Sequence, residues 1–249
     1  MVLIVIPTYN EAENLPTLLA AVLAAVPDSH ILVVDDASPD GTADVAAASG
    51  ANEQVMVLRR TGPRGYGRAC LDGFRYAIDH HYDIVLTMDA DWSHDPAYIP
   101  AMLKELGIGA DMVTGSRYCN GVSVVNWPLR RVILSVFANW YVRAILRLPI
   151  TDCTSGFRGY KTAALYCTNL TAVLSDGYAF LVEIATRVHR AGFTLRETPI
   201  IFVERRAGQS KMSKKVMLES AILPWKMRFT RFPAPLRGPE SLPVPPNAP

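Results

Sequence analysis

Five short apolar runs punctuate the first half of the chain, at residues 2–6, 31–34, 55–58, 84–88 and 112–114. Most are built from Val, Ile and Leu without a polar residue at every second position. That is the pattern of strands covered on both faces rather than strands with one wet side. Between them, residues 12–26 and 67–80 carry helical spacing, and Ser38-Pro39-Asp40-Gly41-Thr42 reads as a turn that opens a further helix. Strands alternating with helices predict βαβ units joined by right-handed crossovers. The fold class expected is α/β, with a mostly parallel central sheet flanked by helices.

The second half is patterned differently. Over residues 131–148, Val132, Ile133, Val136, Phe137, Trp140, Tyr141, Ala144 and Ile145 share one helical stripe, while Arg131, Ser135 and Asn139 fall at i, i+4 and i+8 along another. An ordinary packed amphipathic helix has this pattern. So has a helix that holds a lipid tail on its aromatic-aliphatic face and the lipid's phosphate at its Arg and Ser end. In residues 214–232, Lys214, Lys215, Lys226, Arg228 and Arg231 alternate with Val216, Leu218, Ile222, Trp225, Phe229 and other apolar residues. A basic segment interleaved with Trp, Phe and Leu suits a membrane interface, where each Lys or Arg near an anionic leaflet contributes about 1 kcal/mol. A helix docked on the domain and a dimer contact are the competing readings, and Pro224 is expected to break the helix in two. Residues 233–249 hold seven prolines and read as a disordered tail. The expected division is therefore 1–213 as the catalytic body, 214–232 as the interfacial segment and 233–249 as the tail.

Composition narrows this picture. Of 249 residues, 50% are hydrophobic, enough for one large core, and the formal net charge of +2 argues against a general nucleic-acid binder. The charge is uneven: residues 205–237 carry nine Lys and Arg against the single acid Glu219, so the rest of the chain is net acidic. An acidic body with a basic, partly apolar end points to an anionic surface as partner. Cys70, Cys119, Cys153 and Cys167 are widely spaced and form no C-x-x-C, which reads as reduced thiols in a cytoplasmic protein. No signal peptide is expected, and no stretch reaches the roughly 18 apolar residues of a membrane span.

The candidate chemistry lies where the apolar runs end. Pro7-Thr8-Tyr9-Asn10-Glu11 follows the first, Asp35-Asp36 the second and Asp89-Ala90-Asp91 the fourth. In open α/β sheets the carboxyl ends of the strands form the ligand-binding rim, so these clusters are expected to converge. Carboxylate pairs suit a hard cation such as Mg²⁺, which takes one or two of them together with substrate phosphates. Tyr9 can pack on a base, and Glu11 and Asp36 can accept from base or ribose donors. A D-x-D after a strand is equally a common loop start and helix cap. Arg64-Gly65-Tyr66-Gly67-Arg68 precedes a helix and is either a flexible turn or a phosphate contact; it is not G-x-G-x-x-G. Thr154-Ser155-Gly156-Phe157-Arg158 and Gly208-Gln209-Ser210-Lys211 read as loops with anion-binding residues, and Arg205, Arg206 and Lys211 could equally be surface charge.

Taken together, these segments resemble the inverting GT-A glycosyltransferases of family 2, and within them the dolichol- or polyprenol-phosphate mannose synthases. The resemblance rests on the three clusters above with Ser38-Pro39-Asp40-Gly41-Thr42 and Ser93-His94-Asp95-Pro96. It continues through Gly115-Ser116-Arg117-Tyr118, Asn126-Trp127-Pro128 with Arg131 and Ser135, Asp152 with Thr154-Ser155-Gly156-Phe157, and Gly208-Gln209-Ser210-Lys211. It implies a Rossmann-like GT-A fold and transfer of mannose from GDP-mannose to a polyprenyl (dolichyl-type) phosphate, with GDP as second product. It implies that Pro7, Tyr9, Glu11, Val34 and Asp36 contact the guanosine part of the donor, and that Asp89, Ala90 and Asp91 handle its diphosphate. Asp89, Asp91 and Ser93 would hold Mg²⁺ or Mn²⁺, Ser93 standing where some relatives have Gln. Arg117, Arg131 and Ser135 would bind the acceptor phosphate, Arg205 and Lys211 would close over the donor, and Asp91, Arg117 and Arg131 would carry catalysis. Tyr66 stands where many members carry Leu. The chain resembles the short form, without a transmembrane domain, which implies peripheral association with the cytoplasmic face of a membrane and a separate membrane-anchoring protein as candidate partner. Other readings are a glucosyltransferase or another family 2 enzyme using a UDP-sugar, a nucleotidyltransferase, and a non-catalytic membrane-bound subunit. A nucleotidyltransferase usually needs a Gly-rich basic loop after the first strand, which Pro7-Thr8-Tyr9-Asn10-Glu11 is not.

Overall fold

The computed structural model describes residues 1–49, 53–173, 175, 177–203 and 214–230. The five apolar runs form β1 (Val2–Thr8), β2 (His30–Asp35), β3 (Val55–Arg59), β4 (Ile84–Thr87) and β5 (Met112–Ser116). Each strand reaches the predicted span within a residue or two. The helices between them are α1 (Leu15–Ala25), α2 (Thr42–Ala48), α3 (Tyr66–Asp79) and α4 (Ile99–Gly107). Strand β6 (Val124–Val125) leads to α5 (Leu129–Leu146), followed by β7 (Arg158–Lys161), α6 (Thr162–Cys167), α7 (Gly177–Arg190), β8 (Leu195–Pro199), β9 (Phe202–Val203) and α8 (Lys214–Phe229).

The main sheet has the order β3-β2-β1-β4-β7-β5-β8, and β6 pairs with β9 in a separate ribbon. All neighbours in the main sheet are parallel except at β7, which runs antiparallel between β4 and β5. The strand runs are continuously apolar because both faces are covered. Leu3, Val5, Leu32, Val34, Val85 and Met112 pack with α3, α6 and α7 on one side. Their neighbours Ile4, Ile6, Ile31, Val33, Leu86 and Val113 pack with α1 and α4 on the other. At Gly73 the backbone of α3 lies so close to β1 that an added methyl would collide with Val5.

Two features depart from the sequence reading, and a third bears on the two alternatives it left open for the helix after Pro128. The first is Arg158, expected in an anion-binding loop. It lies in β7 and is fully buried, its guanidinium donating to the carbonyls of Leu181 at 2.5 Å and Cys153 at 2.7 Å. Second, α8 continues through Pro224, where a break was expected. Packing holds it together: Pro224 and Met227 are buried, Tyr141 on α5 donates to the Ala221 carbonyl at 2.9 Å and accepts from the Trp225 indole at 2.9 Å. Arg190 then caps the far end by donating to the carbonyls of Arg228 and Thr230. The third is α5, which is turned the opposite way from a core helix. Its polar row faces the body, with Asn139 buried and bonded to Cys153 N, Ser135 O and Thr154 Oγ1. The apolar stripe faces out: Ile133, Phe137 and Trp140 are 60%, 57% and 61% exposed.

Candidate active site

The carboxyl ends of β1, β2 and β4 meet the loop before β7 and the start of α5 around a cavity of about 420 Å³, within the usual range for a small-ligand site. Pro7, Tyr9, Glu11 and Asp36 line it together with Asp89, Ala90 and Asp91 and with Arg117 and Arg131. The convergence expected of the strand-end clusters is therefore present.

Tyr9, Glu11 and Asp36 are held by the loops after β1 and β2. Asp35 is buried and structural, accepting from Thr8 Oγ1, Ser38 N and Ser38 Oγ. Asp36 is also buried; it pairs with Arg60 and accepts from Gly65 N at 2.9 Å, which ties the start of α3 to this wall. Glu11 N donates to Thr42 Oγ1 and its carboxylate accepts from Asn14, while the Arg64 guanidinium lies over the Tyr9 ring at 4.3 Å. Val34 is fully buried in the core and does not line the cavity.

Asp89, Ala90 and Asp91 belong to a tight turn. Asp91 Oδ1 accepts from Ser93 N at 3.1 Å, and the intervening Trp92 sits at φ 61°, an uncommon and strained conformation for a bulky residue. Ser93 is buried beneath the turn, off the cavity wall, and supports Asp91 through its N–H. His94 is buried between Phe157, stacked at 5.0 Å, and Phe202. Its Nδ1 accepts from Asp89 N at 3.0 Å, which places the ring proton on Nε2. Burial pushes this imidazole below its ordinary value despite the pull of Asp89 and Asp91, so it is a neutral prop for the turn.

Arg117 is buried and grips Asp152 as a fork, Nε to Oδ2 and Nη2 to Oδ1, both at 2.7 Å, with Nη2 also reaching Thr154 Oγ1. Asp152 is itself fixed by Glu197, which accepts from its N–H at 2.9 Å and from Thr151. Burial would raise the Asp152 carboxyl. The charge and hydrogen bonds of Arg117 and the Thr154 N–H outweigh it and hold Asp152 below its ordinary value. The Arg131 guanidinium stacks on Trp127 at 3.9 Å. Ser135, one turn further along α5, bonds the Tyr118 hydroxyl at 2.7 Å and stands behind the wall rather than on it. Arg205 and Lys211 lie outside the described residues, as do Arg206 and the tail.

Sequence reasoning did not assign roles to Asp152, Glu197, Trp127 or Tyr66. Trp127 could have been found from its four-residue spacing to Arg131. Nothing local links Arg117 with Asp152. Asp89 and Asp91 both line the cavity, two residues apart in the turn after β4. Among the described residues no three His, Cys, Asp or Glu converge as a cation cage. Two carboxylates open to a cavity nevertheless fit a cation that completes its shell with ligand phosphate and water, as Mg²⁺ does.

The family model for glycosyl transferase family 2 matches residues 3–168. An undecaprenyl-phosphate mannosyltransferase of Micrococcus luteus is 45% identical over 222 residues, covering 89% of this chain and 91% of that protein. A polyprenol monophosphomannose synthase of Mycolicibacterium smegmatis is 43% identical over 230 residues, covering 91% and 87%. Among solved structures, glucosyl-3-phosphoglycerate synthase from Mycobacterium tuberculosis, in complex with Mn²⁺, uridine diphosphate and phosphoglyceric acid, gives a TM-score of 0.67 at 20% identity over 92% of this chain and 78% of that one. The same enzyme with Mg²⁺ and uridine diphosphate gives 0.65 at 19% identity over 92% and 79%. At such identities the likeness concerns the fold, and it bears out the expected GT-A architecture.

Proposed function

The chain belongs to glycosyl transferase family 2, and from that premise we propose that it transfers mannose from GDP-mannose to the phosphate of a polyprenyl phosphate, inverting the sugar at C1. The observation that carries this reading is that one cavity is lined by Asp89, Ala90 and Asp91 and also by two arginines, Arg117 and Arg131. Carboxylates that suit a diphosphate-bound cation and arginines that suit a second phosphate thus line the same cavity. The names of the mannosyltransferase relatives support mannose and a polyprenyl phosphate as the pair.

In this reading Pro7, Tyr9, Glu11 and Asp36 hold the nucleoside, with Arg205 and Lys211 as further donor contacts. Asp89 and Asp91 would hold Mg²⁺ or Mn²⁺, which when bound offsets charge on the donor diphosphate. The acceptor needs no strong base, because a phosphate monoester with a second pKa near 6 is already an anionic nucleophile at neutral pH. Arg131, stacked on Trp127, and Arg117, locked by Asp152, orient that oxygen toward C1. As it bonds to C1, the bond from C1 to the donor phosphate breaks and its electron pair leaves with GDP.

The apolar face of α5, with Ile222, Trp225 and Phe229 of α8 exposed beside it, supports a membrane surface as the source of the lipid. No helix among the described residues is long and apolar enough to cross a membrane, so the association proposed is peripheral, at the cytoplasmic face, with a separate anchoring protein as candidate partner. The test is to incubate the purified chain with Mg²⁺, polyprenyl phosphate and a panel of GDP- and UDP-sugars. Mannose from GDP-mannose is expected in the lipid fraction, and its loss in Asp91→Ala or with excess chelator. Glucose from a UDP-sugar in that fraction, or full turnover by Asp91→Ala, would overturn the reading.

A further inference from the structure

The β6–β9 ribbon has two unlike faces. Its register pairs Val124 with Phe202 and Val125 with Val203, and side chains alternate along each strand. Phe202 points into the molecule, edge-on to His94 at 5.7 Å and to Trp127 at 5.5 Å, with the Arg117 guanidinium 5.4 Å from its ring. Val125 and Val203 therefore point away from the cavity together, and they are 41% and 43% exposed. Shortly after Val125, Leu129 opens α5 and is 73% exposed. Leu129, Ile133, Phe137 and Trp140 fall at i, i+4, i+8 and i+11, so the exposed row of α5 runs up to the end of the ribbon. Trp127 joins the two elements, packed on Phe202 of the ribbon and stacked against the Arg131 guanidinium of α5 at 3.9 Å.

The charge of this region has one sign. Residues 112–151 hold five arginines and neither Asp nor Glu, and Arg130, Arg143 and Arg147 are exposed. Exposed valine and leucine next to arginine suit the boundary of an anionic bilayer, where apolar side chains enter the acyl region and guanidinium groups stay with the phosphates. A second copy of the chain, docked here about a two-fold axis, would bring the same arginines against their own kind, and like-charge repulsion disfavours that. We propose that the outer face of the β6–β9 ribbon, with Leu129, is a membrane-contacting surface that enters an anionic leaflet next to the exposed row of α5. This extends to the ribbon the peripheral association of α5 and α8, and rests on that reading. Contact through both elements brings the Trp127–Arg131 stack that joins them close to the lipid phosphates. An acceptor can then present its phosphate to Arg131 while its chain stays in the leaflet.

The experiment measures sedimentation with phosphatidylcholine vesicles containing phosphatidylglycerol, and mannose transfer to two acceptors. One is a long polyprenyl phosphate carried in those vesicles, the other a water-soluble short-chain isoprenyl phosphate. Val125→Asp with Val203→Asp is expected to lower partition about tenfold and to raise KM for the vesicle-borne acceptor to a similar extent. KM for the soluble acceptor, Kd for GDP and Tm should be unchanged, because both valines face away from the cavity. Val125→Phe with Val203→Phe should instead strengthen partition about threefold. With GDP binding retained, misfolding does not produce such a gain, so this variant decides the case if the aspartates lower Tm. Unchanged partition in both variants would overturn the proposal. So would an equal rise in KM for the soluble acceptor, which would make the ribbon part of the acceptor site. A wild-type dimer in solution that the aspartates convert to monomer would also overturn it, as the mark of a contact between copies. Each of these leaves α5 and α8 as the lipid surface. A wild-type chain that does not sediment with the vesicles overturns the peripheral association and this proposal together. One that puts no mannose on either acceptor overturns the transfer reading, while partition still decides the ribbon.

Discussion

At the residue scale, the site is built less from free charges than from charges already committed. Arg117 spends its fork on Asp152, and Asp36 is neutralised by Arg60. What these pairs supply is a fixed position, and the Arg117–Asp152 pair makes this testable. Removing one partner of a buried pair leaves an uncompensated charge and costs about 3–5 kcal/mol. Asp152→Asn should therefore lower Tm by about 10 °C at pH 7 and weaken use of lipid phosphate. Its pH dependence has a definite sign. Because the folded state holds the Asp152 carboxyl below its ordinary value, its stabilisation is complete above that ordinary value and is lost as pH falls through the lower folded one. The Tm gap between wild type and Asp152→Asn should be full at neutral pH and close below about pH 4. A gap that widens on acidification would contradict the pairing.

At the element scale, α5 is the informative helix. Its sequence has two clear rows, and periodicity gives their angular separation without saying which row faces the protein. The structure turns Arg131, Ser135 and Asn139 inward and leaves Ile133, Phe137 and Trp140 in solvent. The orientation follows from the partners available: Asn139 satisfies the Cys153 N–H and Thr154 hydroxyl, groups that a leucine row could not serve. The exposed row is expected to bind lipid. Phe137→Glu with Trp140→Glu should reduce partition into vesicles containing anionic lipid by at least tenfold and leave GDP binding and Tm nearly unchanged. Equal partition, measured by vesicle sedimentation, would remove the membrane role of this face.

At the scale of the whole molecule, two halves of the chain meet over one cavity. The alternating strands and helices up to β5 supply Pro7, Tyr9, Glu11 and Asp36 and the Asp89-Ala90-Asp91 turn. The later segments supply Arg117's anchor and, through α5, Arg131. If donor and acceptor are held by these separate groups, their binding should be separable. Arg131→Ala is expected to raise KM for polyprenyl phosphate at least tenfold while changing the Kd for GDP-mannose less than twofold. Equal loss of both would contradict the division.

The strands up to β5, their parallel arrangement and the meeting of three clusters at their ends were determined by the sequence alone. A run of Val, Ile and Leu buried on both faces is a local signal, and the rim follows from the handedness of βαβ units. The antiparallel β7 was not legible in this way. Arg158-Gly159-Tyr160-Lys161 has no apolar run, and its strand exists because β4 and β5 offer it edges and because two carbonyls take the buried Arg158. That insertion carries Asp152, Thr154 and Gly156 to the site, pairing Arg117 with an acid 35 positions away and setting Gly156 against Tyr66. Pairings of this kind depend on which surfaces the folded sheet brings together, so only the tertiary structure could decide them.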